Sequence, residues 1–250
     1  AIGGVSVSYR RYGQGVRADS DNVIDAHGKA VSPGFINMIG WGVTSLITDG
    51  RGLSDITQGI TLEVFGEGNS MGPLSPNMKT EFPKYWDEIQ PQWTSLGEYL
   101  EFLETKGVAP NVASFIGATT PRIHVLGQDD VDPTPEQLQQ MQELVREAMR
   151  EGAVGVASSL IYTPASFAET AELIALAKAA AEYDGIYASH LRNEGKQIFS
   201  ALDELITIAR EAKIPAEIYH IKIAHPPSWG RFDEVLARIE AARSEGLKIT

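Results

Sequence analysis

The sequence predicts an α/β fold of repeated βα units, of the (β/α)8 TIM-barrel type. Three observations carry this. From about residue 107 onward, apolar runs of strand length alternate with amphipathic runs of helix length. The apolar runs are near-continuous, which suits strands buried on both faces of a parallel sheet. The last three units also repeat at roughly 30 residues, about one βα unit, and no switch point of a doubly wound sheet interrupts them.

The elements follow in order. Before residue 33 there are short β-like pieces with turns at Tyr12-Gly13-Gln14-Gly15 and His27-Gly28. Residues 35–39 and 60–65 read as the first two strands, with a helix at 53–58 between them. Residues 75–92 are rich in Pro and aromatics and read as an excursion over the barrel mouth. Further strands are expected at 111–116, 153–157, 185–190 and 215–220. Thr134-Pro135-Glu136-Gln137 starts a helix with a capping Thr, a Pro at the first position and a Gln at the third. Ser166-Phe167-Ala168-Glu169 reads as a second capping box. Gly107, Gly152, Gly185 and Gly246 stand where left-handed caps are wanted. Lys248-Ile249-Thr250 reads as the opening of a seventh strand, so the barrel is expected to be incomplete at the C-terminus.

Composition narrows the function. The 250 residues carry 21 Lys and Arg against 33 Asp and Glu, a formal charge of −12. That field repels phosphate backbones and anionic lipid, so no nucleic-acid or membrane-surface partner is expected. No uncharged apolar run approaches the roughly 20 residues of a membrane helix, and a cytoplasmic location is expected. The chain has no cysteine, which removes disulfides, thiolate metal sites and a Cys nucleophile together. No phosphate-cradling Gly-rich loop, Gly-x-Ser-x-Gly elbow or His-Glu-x-x-His is present.

Chemistry gathers at the expected strand ends. His190 and His220 close consecutive apolar runs at equivalent places. Parallel neighbours lie roughly 4.8 Å apart, so two such imidazoles converge at the carboxyl-end mouth. They suit a divalent metal, zinc best where nitrogen and carboxylate combine, or are simply hydrogen-bonded strand-end histidines. Arg192 and Lys222 each stand two residues further, on the same side if the strand continues, where a cation can hold a substrate carboxylate. Gly66-Glu67-Gly68 follows the second strand and exposes a carboxylate at the mouth, as a ligand or a turn acid. Tyr162, after the fourth strand, either lines a pocket or packs. His27 reads as solvent-facing, His124 has no register link to the pair, and His225 sits on a loop past Lys222.

The run Val23-Ile24-Asp25-Ala26-His27-Gly28-Lys29-Ala30-Val31-Ser32-Pro33-Gly34-Phe35-Ile36 resembles the entry segment of the amidohydrolase superfamily, where a small β-sandwich hands over to the first barrel strand. Residues 58–61, 111–117, 158–164, 187–195 and 219–222 resemble the N-acyl-D-amino-acid deacylase (D-aminoacylase) branch. The resemblance implies a partial β-sandwich over 1–33 and a catalytic barrel over 34–250, holding strands 1 to 6 and the start of strand 7. It implies a zinc-dependent hydrolase of carbon–nitrogen bonds other than peptide bonds, acting on small N-acyl-D-amino acids. His190 and His220 match the histidines of one tightly bound zinc, Lys222 a substrate-carboxylate residue and Tyr162 a pocket tyrosine. Two departures stand out. Asn37-Met38-Ile39-Gly40-Trp41 replaces the His-x-His of a second metal position, and Glu67 stands near the place of a ligating cysteine. The general-base Asp implied by the resemblance is expected beyond residue 250. A cyclic-amide or dipeptide amidohydrolase, or a degenerate binding protein on the same scaffold, are the rival expectations.

Overall fold

The computed structural model describes residues 27–30, 32–86 and 89–250. The sandwich expected over 1–33 falls outside the described residues, apart from an exposed turn at His27-Gly28 and its neighbours. Gly34–Thr250 forms one unit.

Strands and helices alternate through that unit, and every strand pairing is parallel. Strand β1 (Phe35–Asn37) is followed by helices α1 (Ser45–Thr48) and α2 (Leu53–Ile56), then β2 (Ile60–Phe65). Helices α3 (Pro76–Tyr85) and α4 (Leu96–Lys106) precede β3 (Asn111–Ser114) and β4 (Ile116–Gly117). Helices α5 (Thr119–Leu126) and α6 (Pro135–Arg150) lead to β5 (Gly155–Ser159), then α7 (Thr170–Ala181), β6 (Ile186–His190), α8 (Ile198–Ala212), β7 (Ala216–Ile218) and α9 (Phe232–Ser244). The ladders run β1-β2-β3 and β4-β5-β6-β7. The single apolar run expected at 111–116 is divided at Phe115. Its first half pairs with β2 and its second with β5, so one segment joins the two ladders. Ile249 bridges in parallel to Ala216, which adds the next strand line in order.

The core has two layers. The larger lies between the helices and the sheet; Leu96, Tyr99, Met141, Val145, Leu173, Leu176, Leu202 and Leu205 are its helix contributions. Val64, Phe115, Ala157, Ala188 and Tyr219 form a second cluster, one residue from each consecutive strand line, on the opposite face. This two-sided burial is why the strands read as apolar runs rather than alternating ones.

Three local expectations are corrected. Of residues 75–92, expected over the mouth, none of those described lines the cavity at the strand ends. Ser75 accepts from the Met78 amide at 3.3 Å and Pro76 opens α3. Its Phe82 packs edge-on to Trp93, which donates to the Met71 carbonyl, so the aromatics belong to the core. The second capping box is absent as well. Residues Ala165–Phe167 form a 3-10 turn, and α7 begins at Thr170 without a side-chain cap. Finally, the left-handed residue before β6 is Asp184, not Gly185. Gly185 sits in tight space instead: a Cβ there would lie 3.0 Å from the Ala180 carbonyl, and 2.8 Å from the Met149 methyl, which can swing aside. The expected box at Thr134 and Gln137 does form.

One buried pair ties the helix layer together. Arg122 of α5 donates from Nη1 to Glu172 of α7 at 2.5 Å and from Nη2 to the Val131 carbonyl at 2.7 Å. The two side chains are 1% and 3% exposed. Removing one partner strands a charge in the core. Arg122→Ala is therefore expected to lower stability by about 3–5 kcal/mol, measured by urea unfolding, with α-helical content unchanged below the transition.

Candidate metal centre

Four strand ends build the site. Glu67 follows β2 and is flanked by Gly66 and Gly68 at φ values of 97° and 74°. Both glycines are needed for close approach as well as for their backbone angles. A Cβ on Gly66 would lie 2.3 Å from the Phe115 carbonyl, and one on Gly68 would lie 2.6 Å from the Ser159 Cβ. The carboxylate is thereby pressed between the ends of β2, β4 and β5, and Glu67 is only 8% exposed. Its Oε1 accepts from Ser159 Oγ at 3.1 Å, and its Oε2 accepts from the Trp41 indole at 3.0 Å.

His190 is the last residue of β6, in register with Ser159 of β5. Its Nδ1 lies 3.2 Å from Glu67 Oε1. His220 stands two residues past β7, where the Tyr219 amide still bonds the Ser189 carbonyl at 3.0 Å. His220 Nε2 lies 3.8 Å from the same Glu67 oxygen. The two imidazoles meet edge to face, with centroids 4.5 Å apart. His220 has φ 37°, a left-handed backbone that a non-glycine residue keeps only when its surroundings require it.

The donor set suits a divalent ion. One ligand atom from each of Glu67, His190 and His220 lies within 4.8 Å of the others. Zinc bonds of about 2.0–2.1 Å place tetrahedral ligands roughly 3.4 Å apart. The observed 3.2 and 3.8 Å separations from Glu67 Oε1 bracket that value. These three side chains form part of the wall of a cavity of about 550 Å³, with Ile39, Trp41, Tyr162 and Thr119 among the other lining residues. Tyr219 lies beneath, where burial first, then the carboxylates of Glu217 and Glu67, push its hydroxyl's ionisation up and keep it a neutral phenol.

The remaining candidates divide. Tyr162 lines the cavity, its ring crossing that of His190 at 74° with centroids 5.4 Å apart. Lys222 Nζ reaches the site's edge, 3.0 Å from His220 Nδ1 and paired with Glu194. Arg192 is a correction. Strand β6 ends at His190, so the two-residue alternation does not carry on to it. Its guanidinium grips Glu204 of α8 at 2.8 and 2.9 Å and the carbonyls of Ser166 and Ala168, leaving no donor fork for a substrate. His124 lies in α5 beside the Pro73 carbonyl, and His225 pairs with Ser228; neither lines the cavity.

Sequence reasoning missed Trp41, Ser159 and Glu194. Glu194 is buried at 8% exposure, with Oε1 3.0 Å from His220 Nδ1 and 3.6 Å from His190 Nε2. Its signal was available: a Glu-Gly pair in the loop after a strand, the same pattern that singled out Glu67. Gly66→Ala is expected to cost more than about 1 kcal/mol in urea unfolding, because a left-handed backbone and a carbonyl contact must both give way.

No protein-family model matches the chain. It is 33% identical to a D-aminoacylase of Alcaligenes xylosoxydans xylosoxydans over 96% of this chain and 53% of the relative. A crystal structure of D-aminoacylase, described as defining a novel subset of amidohydrolases, superposes with a TM-score of 0.76 at 31% identity. It covers 87% of this chain and 46% of the other. An N-acyl-D-glutamate deacylase from Bordetella bronchiseptica, solved with zinc and a phosphonate mimic of the tetrahedral intermediate, gives 0.75 at 29% identity over the same shares. The chain spans about half the length of the curated relatives it matches. Along that stretch the chain is a homologue of the D-aminoacylase amidohydrolases.

Proposed function

We propose that the protein is a metal-dependent hydrolase of the linear amide bond of N-acyl-D-amino acids, releasing a D-amino acid and a carboxylate. The observation that carries the reading is the convergence of Glu67 Oε1, His190 Nδ1 and His220 Nε2 on one point of the cavity wall. In this reading those three side chains hold a single zinc ion, with Glu67 standing in for a thiolate. A zinc ion there supplies Lewis acidity, polarising a carbonyl oxygen and lowering the pKa of a water.

The chain's own residues supply positioning. Trp41 and Ser159 hold Glu67, so one carboxylate oxygen is turned to the histidines and the other is fixed by the indole. Lys222, half-exposed beside His220, keeps ammonium hydrogens for the carboxylate of the amino acid. Tyr162 offers its hydroxyl at the open side of the cavity. Ile39, Trp41 and Ala165 line the cavity with apolar surface and displace water around the acyl group. Fixing both ends of the substrate in this way converts binding into orientation of the scissile amide.

A second reading, a binding protein without turnover, is favoured only by Trp41, which stands where a second metal's ligands would be expected and spends its indole on Glu67. Metal analysis and a substrate panel on the full-length protein separate the two. We expect about one zinc per chain, falling below about a tenth of an equivalent in His190→Ala and Glu67→Ala. We also expect hydrolysis of N-acetyl-D-amino acids in preference to their L forms. Less than a tenth of an equivalent in the unaltered protein, with His190→Ala changing nothing, sinks the metal reading. Tight ligand binding with no turnover supports the second.

A further inference from the structure

We infer that Glu194 is a positioning residue that sets which nitrogen of His220 carries the ring proton, and so leaves Nε2 bare toward Glu67. The inference rests on the metal-hydrolase reading, since it concerns a residue proposed there as a ligand.

Glu194 belongs to a loop that holds it firmly. Asn193 Oδ1 accepts from the Gly195 and Gln197 amides at 2.9 and 3.1 Å, and the Ala224 amide donates to the Glu194 carbonyl at 2.7 Å. The last bond joins the loop after β6 to the segment that follows His220. Within it the Glu194 side chain is nine-tenths buried, and the groups around its Oε1 are His220 Nδ1, Lys222 Nζ and, further off, His190 Nε2. A buried carboxylate is costly without donors, so these neighbours account for its presence.

The two partners of His220 Nδ1 make opposite demands. A neutral imidazole has one nitrogen that donates and one that accepts. Glu194 is a carboxylate and only accepts; Lys222 is an ammonium and only donates. Both stand 3.0 Å from Nδ1. If Nδ1 bonds to Glu194, it carries the proton and Nε2 presents a lone pair toward Glu67 Oε1, 3.8 Å away. If Nδ1 bonds to Lys222, the proton moves to Nε2, which can then hold no metal. Glu194 decides the contest in two ways at once. It accepts the Nδ1 proton, and it engages the Lys222 ammonium in a charge-assisted bond. Carboxylates that hold the far nitrogen of a ligating histidine act in this manner in metal sites. His220 needs such help, because it lies beyond the end of β7 and its side chain is 34% exposed.

The test has two readouts on the full chain. Long-range proton–nitrogen NMR on histidine-labelled, metal-free protein reports the His220 tautomer. Competition with a chromogenic chelator reports zinc affinity. The unaltered protein is expected to show the Nδ1–H form. Glu194→Ala is expected to move it to Nε2–H and to weaken zinc binding about 10–100-fold. Glu194→Gln faces two donors, presents its amide oxygen to them, and is expected to keep the tautomer and affinity within a few-fold. Lys222→Met removes the opposing donor and is expected to keep the Nδ1–H form; this arm stands even if Glu194→Ala fails to fold. An unchanged tautomer in folded Glu194→Ala, a Gln variant as impaired as Ala, or an Nε2–H form in Lys222→Met each overturns the inference. Failure of the unaltered protein to bind zinc, with the tautomer results as expected, overturns the metal reading and leaves the role of Glu194 standing.

Discussion

A carboxylate buried where parallel strands end is the constraint around which the rest of this structure is arranged. Glu67 reaches that position because glycines on both sides allow the chain to lie against the Phe115 carbonyl and the Ser159 side chain. A lone carboxylate there would cost several kcal/mol. Ser159 and Trp41 offset that cost with hydrogen bonds to Oε1 and Oε2 respectively, and His190 Nδ1 faces Oε1. These three groups come from separate segments, after β1, at the end of β5 and at the end of β6. The site therefore exists only when the strand lines are in register, and the helix layer with its buried Arg122–Glu172 pair helps to hold them so.

The two imidazoles stand between two carboxylates. Glu67 faces one edge of the pair and Glu194 the other, with Lys222 beside the second. This arrangement separates holding an ion from orienting the groups that hold it. It also explains the different fates of two cations with the same spacing. Arg192 and Lys222 each follow a site histidine by two residues, but the chain turns after β6 and carries Arg192 into the helix layer. There a planar fork matches Glu204 and two carbonyls. Lys222 has a single ammonium, and it stays at the edge of the cavity with Glu194.

Much of the fold was legible because each βα unit writes its own signals. Buried parallel strands require apolar runs, and α6 begins where Thr134, Pro135 and Gln137 say it should. Legibility failed where a residue type had two uses. Ser166 and Glu169 have capping chemistry, yet Arg192 takes the Ser166 and Ala168 carbonyls and the turn forms differently. Pro and aromatic residues at 75–92 read as an excursion over the mouth, yet Pro76 starts a helix and Phe82 with Trp93 fills the core. Gly185 looked like a left-handed cap, yet it lies close against the Ala180 carbonyl while Asp184 takes the unusual angle.

For the site, the sequence by itself determined the chemistry available: two histidines at equivalent strand ends, an acid between glycines, and no thiol. Periodicity places such residues on the same face, because side-chain direction along a strand is a local property. Tertiary structure alone decided which of them meet. Glu194 lies in a loop after β6, Trp41 in one after β1, and neither has a period that points anywhere. Their places are set by pairings between distant segments, such as the Ala224 amide on the Glu194 carbonyl. Arg192 left the site for the same reason: beyond the last ladder bond, direction is no longer inherited from the strand but chosen by the nearest partner in three dimensions.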